Sequence, residues 1–241
     1  MFRTLRREWG VTYFKLDFLF LGAVQGGKFH DAAATRIEAY RRGLQAIRRG
    51  TGDAFVLGCN APTWPSIGLI HGSRSSSSIR RAWQSFANTA RMNLSRNWLN
   101  GRLWWNDPDC AVFSGELPEE EYLFHATALR ATGGLLLSGD DLTKLDPKRL
   151  DLLRKLLPPT GAAVFDDESL RVGRVRLKDK ELVCLLNWEE QPRTFSFALP
   201  GPCRLIDYWT GEALGHHEGT VEIKDVPKHS ARLLVCERAS R

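Results

Sequence analysis

The strongest constraint on this chain is a change of hydrophobic period near residue 162. Before it, short apolar runs alternate with segments whose apolar residues recur every three or four positions. After it, short runs alternate apolar and polar residues, with turn residues between them. A period near 3.6 belongs to a helix with one buried face, and a period of two to a half-buried strand. The chain therefore reads as an α/β part followed by an antiparallel part, divided at 1–160 and 161–241.

In the first part, Val11–Phe18, Ala54–Cys59, Ile67–His71, Leu103–Trp105 and Gly134–Ser138 read as strands. The segment 31–49 reads as a helix, with Asp31 as N-cap, Ile37, Tyr40, Leu44 and Ile47 on one face, and Gly50 as its stop. Residues 80–98 repeat Ala82, Phe86, Ala90 and Leu94, and 118–131 form a further helix. Asp146 and Pro147 open a last one near 147–157, which Pro158-Pro159 ends. Strands alternating with helices imply parallel pairing and right-handed crossovers. The second part holds Leu170–Leu177, Leu182–Trp188, Thr194–Leu199, Leu205–Trp209 and Ser230–Cys236. These are spaced by turns as in a small antiparallel β-sandwich.

Composition excludes several classes. Of the residues, 43% are hydrophobic and 10% aromatic, a balance that buries a core. No apolar run reaches the roughly 18 residues of a membrane span. Asp17 inside the first apolar stretch, and Gln25-Gly-Gly-Lys28 after it, argue against a secretory signal. That Gly-Gly-Lys also lacks the spacing of a phosphate loop. Five cysteines, an odd number with no CxxC, fit a reducing cytoplasm better than a disulfide or zinc framework. The net charge of +6 is spread over helices with acids nearby, which reads as solvated faces rather than a nucleic-acid surface. His216-His217 reads as a polar turn.

The polar residues recur just after the strands: Asp17, Cys59-Asn60, His71 to Arg74, Asn106-Asp107 and Asp140-Asp141. In a (β/α)8 barrel those strand ends form the active face. Alternation places Tyr13, Lys15 and Asp17 on one side of a strand, and a carboxylate beside a lysine stays ionised. Asp17 is then a nucleophile, an anion stabiliser, or one half of a loop-capping ion pair. Trp104-Trp-Asn-Asp-Pro-Asp109 reads either as a sugar surface or as a buried pair of rings above a braced turn. Cys59 reads as a packed thiol at a strand end or as a nucleophile that lacks an identified base.

Taken in order, these stretches resemble the catalytic half of glycoside hydrolase family 36 α-galactosidases, in the clan that includes family 27. The resemblance rests on Tyr13-Phe-Lys-Leu-Asp-Phe18, Thr35-Arg-Ile-Glu-Ala-Tyr-Arg-Arg-Gly-Leu44, Gly52-Asp-Ala-Phe-Val-Leu-Gly-Cys59, Ser66-Ile-Gly-Leu-Ile-His-Gly-Ser-Arg74, Trp104–Asp109, Asn187-Trp188 and Tyr208-Trp-Thr-Gly211. It implies strands four to eight of a (β/α)8 barrel followed by a β-sandwich. It implies retaining hydrolysis of terminal α-linked galactose in oligosaccharides of the raffinose type, with no metal or organic cofactor. Asp17 falls on the nucleophile. Lys15, Cys59, Asn60 and Arg74 fall on the sugar pocket.

Two departures accompany the resemblance. The acid/base aspartate of the family falls on Ser78, which cannot do that work near neutral pH. Asp107, Asp140 and Asp141 are the carboxylates considered as substitutes. The family's N-terminal β-domain and first three barrel strands have no counterpart, which reads as a fragment, a truncated frame, or an assembly completed by self-association or a second polypeptide. The rival readings are a catalytically inactive, sugar-binding remnant and an α-N-acetylgalactosaminide-cleaving relative.

Overall fold

The computed structural model describes residues 1–238. Their contacts divide the chain into two compact units. The first comprises Met1–Arg74 with Gly101–Asp107, and the second Ser75–Asn100 with the described residues from Pro108 onward.

The first unit begins with helix α1 (Phe2–Arg7) and strand β1 (Tyr13–Leu16). Helix α2 (Arg36–Thr51), strand β2 (Phe55–Gly58), the single helical turn α3 (Thr63–Ser66), β3 (Gly72–Arg74) and β4 (Trp105–Asp107) follow. The four strands form one parallel sheet in the order β1-β2-β3-β4. Its register sets Tyr13 against Phe55, Leu57 against Gly72, and Arg74 against Asp107. Gly72 suits that register, because a Cβ there would stand 3.0 Å from both the Leu57 side chain and the Phe55 ring. On β1, Phe14 is buried while Tyr13 and Lys15 are exposed, the alternation that the pleat imposes.

Helix α2 starts five residues later than the expected segment 31–49, its N-cap being Thr35 and not Asp31. Thr35 accepts from the Glu38 amide at 3.2 Å, and Glu38 accepts from the Thr35 amide at 2.8 Å. This reciprocal capping box satisfies two amides that the first turn of the helix cannot pair internally. Asp31 instead accepts from the Ala33 amide and from Arg42. The expected strand Ile67–His71 is also displaced. Gly68 turns the chain at φ +77°, and the strand proper runs over Gly72–Arg74. His71 sits at its entrance, its amide donating to Val56 and its Nδ1 accepting from the same residue.

The second unit contains α4 (Trp83–Leu94), β5 (Cys110–Ala111), α5 (Glu119–Thr132), β6 (Leu137–Ser138) and α6 (Pro147–Lys155). Strands β7 (Val164–Phe165), β8 (Val172–Arg176), β9 (Lys180–Leu186), β10 (Arg193–Ala198), β11 (Cys203–Asp207), β12 (Ala213–His217), β13 (Thr220–Val226) and β14 (Ala231–Arg238) complete it. β5 and β6 pair in parallel. Pro108, which has no N–H to give, and Asp109 at φ +78° separate β4 from β5 along the chain. Six strands form an antiparallel sheet in the order β12-β11-β14-β9-β8-β7, and β10 pairs with β13.

The central strands explain their own sequences. Leu182, Cys184 and Leu186 of β9, with Leu233 and Val235 of β14, share a core with Phe86 and Ala90 of α4 and Phe124 and Ala128 of α5. The intervening Val183, Leu185, Leu234 and Cys236 join Phe195, Phe197 and Val221 of the β10–β13 pair in a second core. Both faces are covered, so these strands read as continuous apolar runs instead of alternating.

Candidate active site

The site candidates gather at the carboxyl ends of the first unit's strands. Asp17 follows β1 by one residue, and Phe18 turns left-handed there at φ +54°. Cys59 and Asn60 follow β2, with Asn60 left-handed at φ +51°. Asparagine is among the few non-glycine residues that tolerate that conformation. The two loops are laced together, since the Leu19 amide donates to the Cys59 carbonyl at 3.3 Å and the Phe20 amide to the Asn60 carbonyl at 2.9 Å.

This lacing delivers donors to Asp17. Its Oδ1 accepts from the Phe18 amide at 2.6 Å and from Asn60 Nδ2 at 2.8 Å. Burial pushes the Asp17 carboxyl up. The Phe18 amide, the Cys59 thiol, the Asn60 amide and the charge of Lys15 outweigh that push and hold it below the usual carboxylate range. Asp17 is exposed to solvent, and so is Lys15. The Cys59 thiol is buried and shifted up, first by burial and then by its bond to the Asp17 carboxylate. A thiol so placed is a donor to the carboxylate and a poor thiolate nucleophile.

Arg74 ends β3. Its Nε donates to Asp107 Oδ2 at 3.0 Å, both side chains being almost wholly buried. Tyr13, on the Lys15 side of β1, is raised by burial and then by the charge of Asp107. Tyr13, Lys15, Asp17, Cys59, Asn60, Arg74 and Asp107 therefore form one electrostatically connected group. Sequence reasoning placed Tyr13 on the right side of its strand without giving it a place in the site. It missed the Phe18 amide and the contact of Asn60 with Asp17. The signals available were the polar residue just past β2 and the Pro62 that follows closely.

Ser78 lies in the second unit, exposed, in the irregular segment between β3 and α4. Its neighbour Ile79 donates its amide to Asp109 Oδ2 at 2.7 Å. The carboxylates considered as substitutes are all committed elsewhere. Asp107 is fully buried and bonded to Arg74. Asp140 accepts from the Phe113 amide, the Ser114 hydroxyl and Arg81. Asp141 caps the short helix Leu142–Lys144 through the Thr143 amide. Of the paired rings, Trp104 is buried and Trp105 is about half exposed, so the cluster divides between core and surface. Among the described residues, no group of three or more His, Cys, Asp or Glu side chains converges as a metal site, and no helix is long and apolar enough to cross a membrane.

No family model matches the sequence. Solved structures do resemble the fold. A family 27 β-L-arabinopyranosidase from Geobacillus stearothermophilus, in complex with arabinose, superposes with a TM-score of 0.77 at 18% identity over 99% of this chain and 61% of that one. An α-galactosidase from Saccharomyces cerevisiae, solved with raffinose, gives 0.75 at 13% identity over 98% of this chain and 74% of that one. α-Galactosidase I from Mortierella vinacea gives 0.71 at 17% identity over 98% and 70%. The chain spans about three fifths of the arabinopyranosidase's length. At these identities the likeness is one of fold. The motifs resembled family 36, whereas the arabinopyranosidase belongs to family 27. What the likeness supports is therefore the broader galactosidase-like arrangement, a mixed α/β fold with a parallel sheet and antiparallel sheets.

Proposed function

We propose that this chain carries the nucleophile-bearing half of a retaining α-galactosidase-type glycoside hydrolase, in the group that spans families 27 and 36. On this reading residues 1–160 supply part of a (β/α)8 barrel and 161–241 its C-terminal β-domain. The substrate class is terminal α-linked galactose in oligosaccharides of the raffinose type, met in the cytoplasm. The observation that carries the reading is Asp17 itself: ionised, open to solvent and past the carboxyl end of a parallel strand, with Lys15 beside it. Strand ends of this kind are where barrel enzymes place their chemistry.

In a retaining mechanism Asp17 attacks the anomeric carbon while the glycosidic bond breaks, and water then hydrolyses the glycosyl ester. The second carboxyl group, normally roughly 5–5.5 Å from the first, protonates the departing oxygen and then activates that water. Ser78 supplies neither, and general acid–base help is worth about 10²–10⁴ in rate. The bonds made by Asp140 support the same conclusion, because a carboxylate held ionised by donors has no proton to give. The chain is therefore expected to act slowly on ordinary galactosides and best on those with acidic leaving groups.

The test is release of dinitrophenol from an aryl α-galactoside by the purified chain. Release should vanish in Asp17→Asn. It should rise in Ser78→Asp most clearly for poorer leaving groups such as nitrophenol, by a factor approaching about 10². A folded chain with no release, or with release indifferent to Asp17→Asn, overturns the hydrolase reading. Sugar binding without turnover would favour the remnant reading, which Ser78 already supports.

A further inference from the structure

We propose that Asn60 is a positioning residue for Asp17, its side-chain amide holding Oδ1 so that Oδ2 is the oxygen presented for bond formation. The inference rests on the reading of Asp17 as the nucleophile and goes beyond the sugar-pocket place that the motif resemblance implied for Asn60.

An exposed aspartate has no preferred oxygen. The torsion that exchanges its two oxygens is broad and nearly two-fold, so a free carboxylate presents either one in a range of orientations. Here two donors converge on a single oxygen, the Phe18 amide at 2.6 Å and Asn60 Nδ2 at 2.8 Å, beside the Cys59 thiol that also donates to the carboxylate. The two amides differ in kind. Phe18 is the next residue and moves with Asp17. Asn60 comes from the neighbouring strand, 43 residues on, and ties the carboxylate to a separate element.

That element is itself held. The Asn60 carbonyl accepts from the Phe20 amide at 2.9 Å, and the Cys59 amide donates to the Leu16 carbonyl at 2.7 Å. The register of β1 on β2, Leu16 against Gly58, thus sets where the Asn60 amide stands. The site needs a residue that accepts φ near +51° and carries a short side chain with an N–H donor, and asparagine combines both. Bonds to the ionised form also make the carboxylate a better leaving group when the ester is hydrolysed. In the first step the Oδ2–C1 bond forms as the C1–O bond to the aglycone breaks, its electron pair leaving with the aglycone oxygen. In the second, a water oxygen takes C1, Asp17 regains its pair, and the water proton passes to solvent.

The experiment uses the full chain as wild type and as Asn60→Gly, which keeps the left-handed turn and removes only the donor. The first readout is a ¹³C-carboxyl NMR titration of Asp17. The other charged or titratable groups near it are Lys15 on β1 and Cys59 after β2, with Arg74 of β3 acting on Cys59. They are unchanged by the substitution. The Asp17 midpoint should move upward in Asn60→Gly. The second readout is steady-state hydrolysis of an aryl α-galactoside, where kcat should fall on the order of 10- to 100-fold with KM little changed, as for a misplaced reacting group. An unmoved midpoint overturns the proposal, and so does a raised KM with kcat intact, which would set Asn60 against the sugar. If wild type releases nothing yet the midpoint moves, the positioning bond stands and only the hydrolase reading fails.

Discussion

A carboxylate or an imidazole removed from water is stable only where the protein replaces the lost hydration, and two residues of the second unit show this in opposite senses. Asp140 is 1% exposed at its side chain and accepts from Ser114 Oγ at 2.6 Å and Arg81 Nη2 at 2.8 Å, besides two backbone amides. Burial pushes its carboxyl up, and these donors more than offset it. Asp140→Asn turns one acceptor oxygen into a donor facing donors. It should cost about 1–3 kcal/mol at neutral pH, read from denaturant midpoints. His125 runs the other way. It is fully buried between Phe86 and Phe113, and burial lowers its pKa to about 3. The unfolded chain binds this proton near pH 6.5 and the folded chain does not. Stability is therefore complete above pH 6.5 and declines as pH falls toward 3. The loss between pH 6.5 and 5 should be on the order of 2 kcal/mol, visible as a falling Tm. A flat stability curve across that interval would remove the buried, neutral histidine from this account.

At the scale of elements, helix termini decide more than helix interiors. Helix α5 opens with Glu119, Glu120 and Glu121, whose charges suit the positive end of its dipole, and closes at Gly133 with φ +60°. A Cβ at Gly133 would stand 2.1 Å from the Gly161 carbonyl carbon, in backbone that cannot yield without moving the next segment. Gly133→Ala should cost more than about 3 kcal/mol and drive the protein into the insoluble fraction, whereas Gly43→Ala, with open space around it, should not. The extent of α5 was legible in the sequence to within a residue at either end. β5 was not, because two residues carry no period. The Ile67–His71 run was apolar enough for a strand, yet partner and register placed the strand after it.

Across the whole molecule, stability should be graded by how completely each strand is enclosed. β9 and β14 have neighbours on both edges and cores on both faces. Their amides should exchange with deuterium most slowly. β1 has, among the described residues, one strand neighbour and one open edge. Its amides should exchange far faster than those of β9. Protection of β1 that grows with protein concentration, measured by hydrogen exchange and mass spectrometry, is the expected sign of self-association at that edge. Constant fast exchange would exclude it.

What the sequence alone determined here was local. The change of period near residue 162, the alternation of strands with helices, and a carboxylate exposed on the Lys15 side of β1 all follow from spacing along a few residues. Fold class and the first candidate residue were readable for that reason. The tertiary structure decided which groups meet. It set the Asn60 amide on Asp17, sealed Arg74 against Asp107, and occupied Asp140 with amides of the residues just after β5. Those partners lie 43, 33 and 27 residues apart. Only strand register brings them together, and register depends on every side chain that the sheet must bury at once.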